Sequence, residues 1–407
     1  MGKGLGIGLM IFGLALSVGL LFLEIKHSTT LLKTSMNVQK KITKPPKHAL
    51  YYVMKVFEWL LLGLTWGVLF FTLYFEFNKL NSWKLLTFSW ALYECIEILR
   101  LYMKSPKPIF LDNTLAASGC ECYFGTPSWY AGFVVLFWCI FYKDVLADRD
   151  FLEDSHKMIV KIVLTILILL GVFARFFFGL ETYNQLFIGI ALALMFIGLS
   201  MFDEFWENQF SQIFNSESSS CMARWLAFFF WLGFIADFVF CWFRAKKTVS
   251  TFEHKKVHPF AKSSCKSKCF VSGGKRAYLS HNSLIGLAWF SFVPMMFLYY
   301  SITGSVKYSN NQLNMIKYLA QFKDKKGMII KMFLYILANV PIIVSAWYSI
   351  KGNWKHDLLF KFGMSLLWVI MYRWVVPIIK KSADIYIMAD MFAPWMDGDD
   401  EQKEGLI

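Results

Sequence analysis

Long apolar runs alternate with short polar connections along most of the chain. A membrane-spanning helix needs about 20 mostly apolar residues. Ten runs approach that length: Leu5 to Leu23, Val53 to Phe75, Trp83 to Met103, Trp129 to Tyr142, Met158 to Phe178, Gln185 to Phe202, Met222 to Phe243, Leu284 to Ile302, Met328 to Ile350 and Leu358 to Ile379. The fourth is short and is expected to begin inside the loop before it. The pattern predicts an all-α polytopic membrane protein of about ten transmembrane helices. Lys3 ahead of the first run is reminiscent of a secretory signal, but the length of the run and the lack of a clear cleavage site favour a retained anchor. Three parts follow: residues 1–50 as anchor and basic linker, 51–385 as the transmembrane domain, and 386–407 as an acidic tail.

Composition supports this class and removes others. Of 407 residues, 57% are apolar and 17% charged, whereas soluble domains run near 45–50% and about 25%. The low polarity excludes a disordered chain, and eight cysteines over this length exclude a disulfide scaffold. A net charge of +14 would suggest nucleic acid in a soluble domain. Here the excess lies mainly between apolar runs, so it is read as topology and contact with anionic lipid headgroups, with no nucleic-acid partner. Neither an ATP-binding nor a dinucleotide fingerprint is present.

The connections differ in sign. The stretch from Glu24 to Tyr52 carries Lys26, Lys33, Lys40, Lys41, Lys44 and Lys47, and the loop from Arg244 to His281 carries Lys246, Lys247, Lys255, Lys256, Lys262, Lys266 and Lys268. The segment from Asp203 to Cys221 has acids and no base. Ten spans put both basic segments on one side of the membrane and the acidic one on the other, as the positive-inside rule expects. The same parity puts Lys104 to Ser128 and the turn around Glu181 on the basic side. The lysines between Thr303 and Lys326 break the pattern.

Three short stretches carry candidate chemistry. Arg100-Leu-Tyr-Met-Lys-Ser-Pro-Lys107-Pro108 ends the third run. Gly125-Thr-Pro-Ser128-Trp129-Tyr130-Ala131 opens the fourth. Ala174-Arg175, five residues, Glu181, three residues and Gln185 join the fifth to the sixth. Pro127 and Ser128 ahead of a helix would aim backbone N–H groups and a positive dipole end at a pocket. Arg100, Lys107 and Arg175 would add the charge and donors that suit phosphate oxygens.

At these residues the chain resembles the type 2 phosphatidic acid phosphatase superfamily, most closely its glucose-6-phosphatase branch. The family pattern is Lys, six residues, Arg-Pro; then Pro-Ser-Gly-His; then Ser-Arg, five residues, His, three residues and Asp. Gln185 stands in the last place, as glutamine does in that branch, and Cys120 and Cys122 lie in a segment where the branch also has a cysteine. The resemblance implies a nine-helix core, matched by runs two to ten, with the first run as an addition.

The same resemblance exposes departures. In the family, the histidine of the third motif attacks phosphorus and that of the second protonates the leaving oxygen; those places hold Glu181 and Tyr130. A glutamate there would face the incoming phosphate, and a like-charge contact at about 4 Å costs on the order of 4 kcal/mol at an effective dielectric near 20. A tyrosine with a pKa near 10 is a weak acid at neutral pH. Trp129 replaces a glycine and adds bulk. The expectation is a site with no catalytic residue, in which Glu181 is the counter-anion of a phosphate-binding remnant formed by Arg100, Lys107, Ser128 and Arg175. The implied function is that of a catalytically inactive phosphatase-like subunit of a larger membrane complex, with lipids and other membrane subunits as partners and neither metal nor cofactor. The alternatives are an active lipid- or sugar-phosphate phosphatase with an altered nucleophile, and a transporter or channel. The resemblance implies the endoplasmic reticulum; the charge pattern leaves the mitochondrial inner membrane as the alternative.

Other ionisable residues lie within apolar runs, where charge usually marks function or pairing. Asp237 and Arg373 are expected to pair, with an ion or proton path as the alternative, and Glu94 and Glu97, one helical turn apart, to form an interior hydrogen-bonded pair, with a protonation role as the alternative. Glu97 also lies three residues before Arg100 and is placed to neutralise it. Cys120, Cys122, Cys265 and Cys269 lack the two-residue spacing of common zinc sites and are read as unpaired thiols, with a disulfide and then a metal site as the alternatives. His254, His258 and His281 are read as solvated.

Overall fold

The computed structural model describes residues 3–43, 48–75, 79–112, 115, 123–147, 154–214 and 354–371, with isolated positions between 225 and 344. The basic loop, Asp237, Arg373, the four cysteines just named, the acidic tail and much of runs seven to nine lie outside the described residues. The regular structure is helical: α1 (Lys3–Ile42), α2 (Ala49–Phe75), α3 (Lys79–Met103), α4 (Pro108–Leu111), α5 (Trp129–Phe141), α6 (Asp154–Phe177), α7 (Tyr183–Ser200), α8 (Asp203–Phe214) and α9 (Trp354–Ile370). The short fourth run gains length because α5 continues as a π-helical segment, Tyr142–Ala147.

Helix α1 shows why this is a membrane fold. Its buried positions are Gly6, Gly13, Ser17, Glu24, Ser35 and Gln39, all small or polar and spaced by helical turns. Its exposed positions include Leu5, Ile11, Phe12, Val18 and Phe22. Helix α6 repeats the inversion, burying Gly171, Ala174, Arg175 and Phe177 while exposing Met158, Ile162, Ile166 and Leu169. Hydrocarbon selects this arrangement, since lipid solvates aliphatic side chains while small and polar groups are left to helix contacts. Helices α1, α6 and α7 are each long and apolar enough to cross a membrane. The chain is an all-α polytopic integral membrane protein.

At the centre, α5 buries ten of its thirteen residues and packs on α2, α3, α6 and α7. Its aromatic ridge runs Phe133, Phe137, Phe141, with Phe137 and Phe141 stacked at 5.9 Å. Helices α1 and α7 run antiparallel with their backbones in close approach: a Cβ on Gly198 would lie 2.5 Å from Met10 N, and one on Gly6 would lie 2.9 Å from Met201 Cβ. Small residues permit such approach in membranes, where packing replaces the hydrophobic effect as the driving force.

The stretch after Glu24 is not an irregular linker. α1 runs on to Ile42, spanning about 60 Å at ~1.5 Å per residue, with non-helical torsions at His27 (φ −124°, ψ 22°). Beyond that bend its side-chain hydrogen bonds to described residues fall at one end of the bundle. Ser35 Oγ accepts from Tyr183 N at 3.4 Å, Gln39 Nε2 donates to the carbonyls of Phe176 and Glu181 at 3.0 and 2.8 Å, and Thr43 Oγ1 donates to Phe177 O at 2.6 Å. The second half of α1 therefore crosses the end where α6 stops and α7 starts.

Candidate functional site

Local rules place the three sequence stretches at that same end. α6 terminates in a Schellman motif: Gly179 sits at φ +64°, its N–H reaches Phe176 O, and Leu180 N–H reaches Arg175 O. Glycine takes the left-handed conformation without steric penalty. The chain then reverses, so Glu181 folds back beneath Arg175. Thr182 caps α7, accepting from Gln185 N, while the Gln185 side chain accepts from Thr182 N, a full capping box. Arg175, Glu181 and Gln185 thus sit respectively before a helix stop, just after it, and within a helix start.

Ser128 is the N-cap of α5, accepting from Ala131 N at 3.1 Å. The Thr126-Pro127 peptide before it is cis. Ser128 N–H donates to Gln185 O, and Gly189 lets α7 approach the Ser128 carbonyl closely enough that a Cβ there would clash. Arg100 lies in the last turn of α3 and hands its Nε–H to Pro127 O at 2.9 Å.

These elements assemble a buried ionic network. Ser128 Oγ donates to Glu181 Oε2 at 2.5 Å. Glu181 Oε1 lies 3.3 Å from Arg175 Nη2 and 3.9 Å from Arg100 Nη2. Arg175 Nη1 donates to Glu58 Oε1 at 2.8 Å, and Arg100 Nη1 donates to Glu97 Oε1 at 2.6 Å. Glu181 is 0% exposed and both arginines 2%. Charges so enclosed are tolerated only when each is paired and hydrogen-bonded.

Four of the seven positions singled out from sequence therefore meet around one carboxylate: Arg100, Ser128, Arg175 and Glu181. Lys107, fully buried, places its Nζ 3.6 Å from the centre of the Tyr123 ring. Arg100 lies over the same ring at 4.5 Å, so the two cations share one aromatic ring. Tyr130 packs its ring against Arg175 at 5.0 Å and directs its hydroxyl to Glu58 O at 3.1 Å. Gln185 serves as a cap, its Nε2 donating to Pro106 O at 3.2 Å. Trp129 stacks on Phe133 at 5.3 Å and meets Tyr93 edge to face, adding its bulk to the core.

One expected pairing is corrected. Glu97 does not hydrogen-bond Glu94; Arg100, three residues along the same face, is the stronger partner because it carries opposite charge. Glu94 is buried and lines an open groove along α3 with Trp90, Cys95 and Leu99.

Sequence reading missed Glu58, Tyr123, Glu24 and Gln39. Glu58 lies inside the second apolar run, where the rule that intramembrane charge is paired or functional is a signal that marks it as a candidate without naming Arg175 as its partner. Glu24 accepts from Thr126 Oγ1 at 3.1 Å and from Asn184 Nδ2 at 2.6 Å, tying α1 to the loop before Ser128. No local pattern marks Gln39, whose role arises only when α1 bends.

A second ionic cluster holds the opposite end. Lys143 Nζ lies 2.7 Å from both Asp203 oxygens and 3.1 Å from Asp144 Oδ1. Lys84 pairs with Asp144 at 3.0 Å and also with Asp203. Burial pulls the Lys143 ammonium pKa down, but Asp144 and Asp203 outweigh it and raise the value. Burial likewise pushes Asp203 up, but hydrogen bonds from Lys143 and Lys84 prevail and lower it.

No protein-family model matches the sequence, and no curated protein does. Among solved structures, the chain is similar to a transmembrane PAP2-type phosphatidylglycerolphosphate phosphatase from Bacillus subtilis. The TM-score is 0.40 and the sequence identity 19%, over 49% of this chain and 96% of that one.

Proposed function

We propose that this chain is a catalytically inactive, phosphatase-like membrane protein that serves as a structural or lipid-binding subunit of a larger membrane assembly. The observation that carries the reading is the occupant of the cationic site. Glu181 presents one oxygen to Ser128 and the other to two guanidiniums, the kind of contacts that phosphate oxygens would require. Its carboxylate neutralises the charge that would attract an anion. The position resembling the family's proton donor is Tyr130, and its hydroxyl is engaged by the Glu58 carbonyl.

An altered nucleophile is less well supported. Both Glu181 oxygens are engaged and the residue is wholly buried, so an incoming phosphate would meet a closed, charge-balanced site. The glucose-6-phosphatase branch and a location in the endoplasmic reticulum belong to this proposal and rest on the motif resemblance; the mitochondrial inner membrane, as the alternative, rests on the charge pattern of the connections.

The test is phosphate release by the purified chain from lipid phosphates, pyrophosphates and sugar phosphates. Release no faster than that of an Arg175→Ala variant is expected; turnover abolished by that substitution overturns the reading. For the assembly, particles isolated from native membranes are expected to exceed the chain's 47.4 kDa, and a monomer overturns the subunit role.

A further inference from the structure

The second half of α1 has two unlike faces. Ser35 and Gln39 point into the bundle and hydrogen-bond the ends of α6 and α7. Lys26, Lys33, Lys40 and Lys41 are exposed, together with Thr29, Thr30 and Asn37. Lys33 and Lys40 are two helical turns apart and project from the side opposite Ser35. No acidic residue occurs from Ile25 to Thr43. Lys40 pairs with Asp112 at 2.5 Å and remains 46% exposed.

This basic face continues directly from an apolar half that exposes Leu14, Val18 and Phe22. Lys26 follows that half by three residues, at the level where a spanning helix meets the headgroups. Because the helix bends at His27 and crosses the bundle end, the lysines beyond it stay near that level instead of climbing away from the bilayer. A row of flexible ammonium groups at headgroup depth, of which Lys40 alone has an ion-pair partner among the described residues, matches anionic phospholipid better than neutral lipid.

We propose that the carboxyl-terminal half of α1 is a docking surface for anionic phospholipid headgroups. Lipid bound there braces the strap formed by Gln39 and Thr43 over the ends of α6 and α7. The surface is separate from the ionic network beneath it and does not depend on whether that network ever held phosphate.

The test titrates the full chain in neutral detergent with pyrene-labelled phosphatidylglycerol and, separately, phosphatidylcholine, reading quenching of the protein's tryptophans. A triple variant, Lys26→Gln, Lys33→Gln and Lys41→Gln, leaves the Lys40–Asp112 pair and the inner face untouched. It is expected to weaken phosphatidylglycerol binding on the order of a hundredfold at low salt, roughly fivefold per lysine, with phosphatidylcholine unchanged. The corresponding Lys→Arg triple is expected to bind as the parent does. Equal phosphatidylglycerol affinity in parent and Gln variant overturns the proposal, as does equal loss in the Arg and Gln variants. Competition by polyglutamate with no preference between the two lipids also overturns it, in favour of an acidic protein partner.

Discussion

Ser128 and Glu181 lie 53 residues apart and share a 2.5 Å hydrogen bond, with neither side chain reaching solvent. One is the first residue ahead of α5 and the other the last but one before α7, so this contact locks two helix starts to each other. A hydroxyl donating to a carboxylate at this length is charge-assisted and about twice as strong as a neutral bond.

Removing that carboxylate leaves Arg175 and Arg100 under-compensated. Glu181→Ala is therefore expected to destabilise the fold by about 3–5 kcal/mol, as for other broken buried pairs. Ser128→Ala, which removes an N-cap and a charge-assisted donor, should cost on the order of 2 kcal/mol. Denaturant unfolding in detergent measures both. A loss below about 1 kcal/mol for Glu181→Ala would mean that the carboxylate is not held as described.

Gln185 acts on α7 through its cap. Thr182→Ala and Gln185→Ala should each lower stability by about 1 kcal/mol. The double variant should lose less than the sum, because both belong to one motif. Strict additivity in a double-mutant cycle would refute the reciprocal cap.

Close backbone approach between α1 and α7 makes two glycines of the same helix behave differently. A Cβ on Gly13 would strike the α7 backbone at Met195, whereas one on Gly19 meets nothing within 4 Å. Gly13→Ala should therefore destabilise by roughly 1–3 kcal/mol through overpacking, and Gly19→Ala should be neutral or slightly stabilising through helix propensity. Thermal unfolding of the two variants side by side decides it.

The cluster at the far end predicts pH dependence with a definite sign. Asp203 has its pKa lowered from an ordinary 3.8, so its contribution is complete above that value and disappears as pH falls through the depressed one. Lys143 is raised from 10.5, so its contribution is complete below that value and disappears as pH rises through the raised one. Asp203→Asn should flatten the acid limb of a stability profile below about pH 4 and reduce the alkaline limb through loss of the Lys143 partner. An unchanged acid limb would place Asp203 outside the pair.

Hydrophobic run length alone established the helical membrane class, because lipid demands long apolar segments whatever their packing. The motif resemblance, not spacing, put Arg100, Ser128, Arg175 and Glu181 at one site; helix ends and caps are local and fix only how each stretch presents its own residue there. Glu97 as partner to Arg100 was equally legible from three-residue spacing. What needed tertiary structure were contacts between segments distant in sequence: Glu58 with Arg175, Tyr123 shared by Arg100 and Lys107, and Glu24 and Gln39 reaching the ends of α6 and α7. Those partners follow from where α2 and α1 dock and from the bend at His27. No periodicity in the sequence encodes them, because a hydrogen bond across 142 residues, such as Gln39 to Glu181, forms only after the helices have packed.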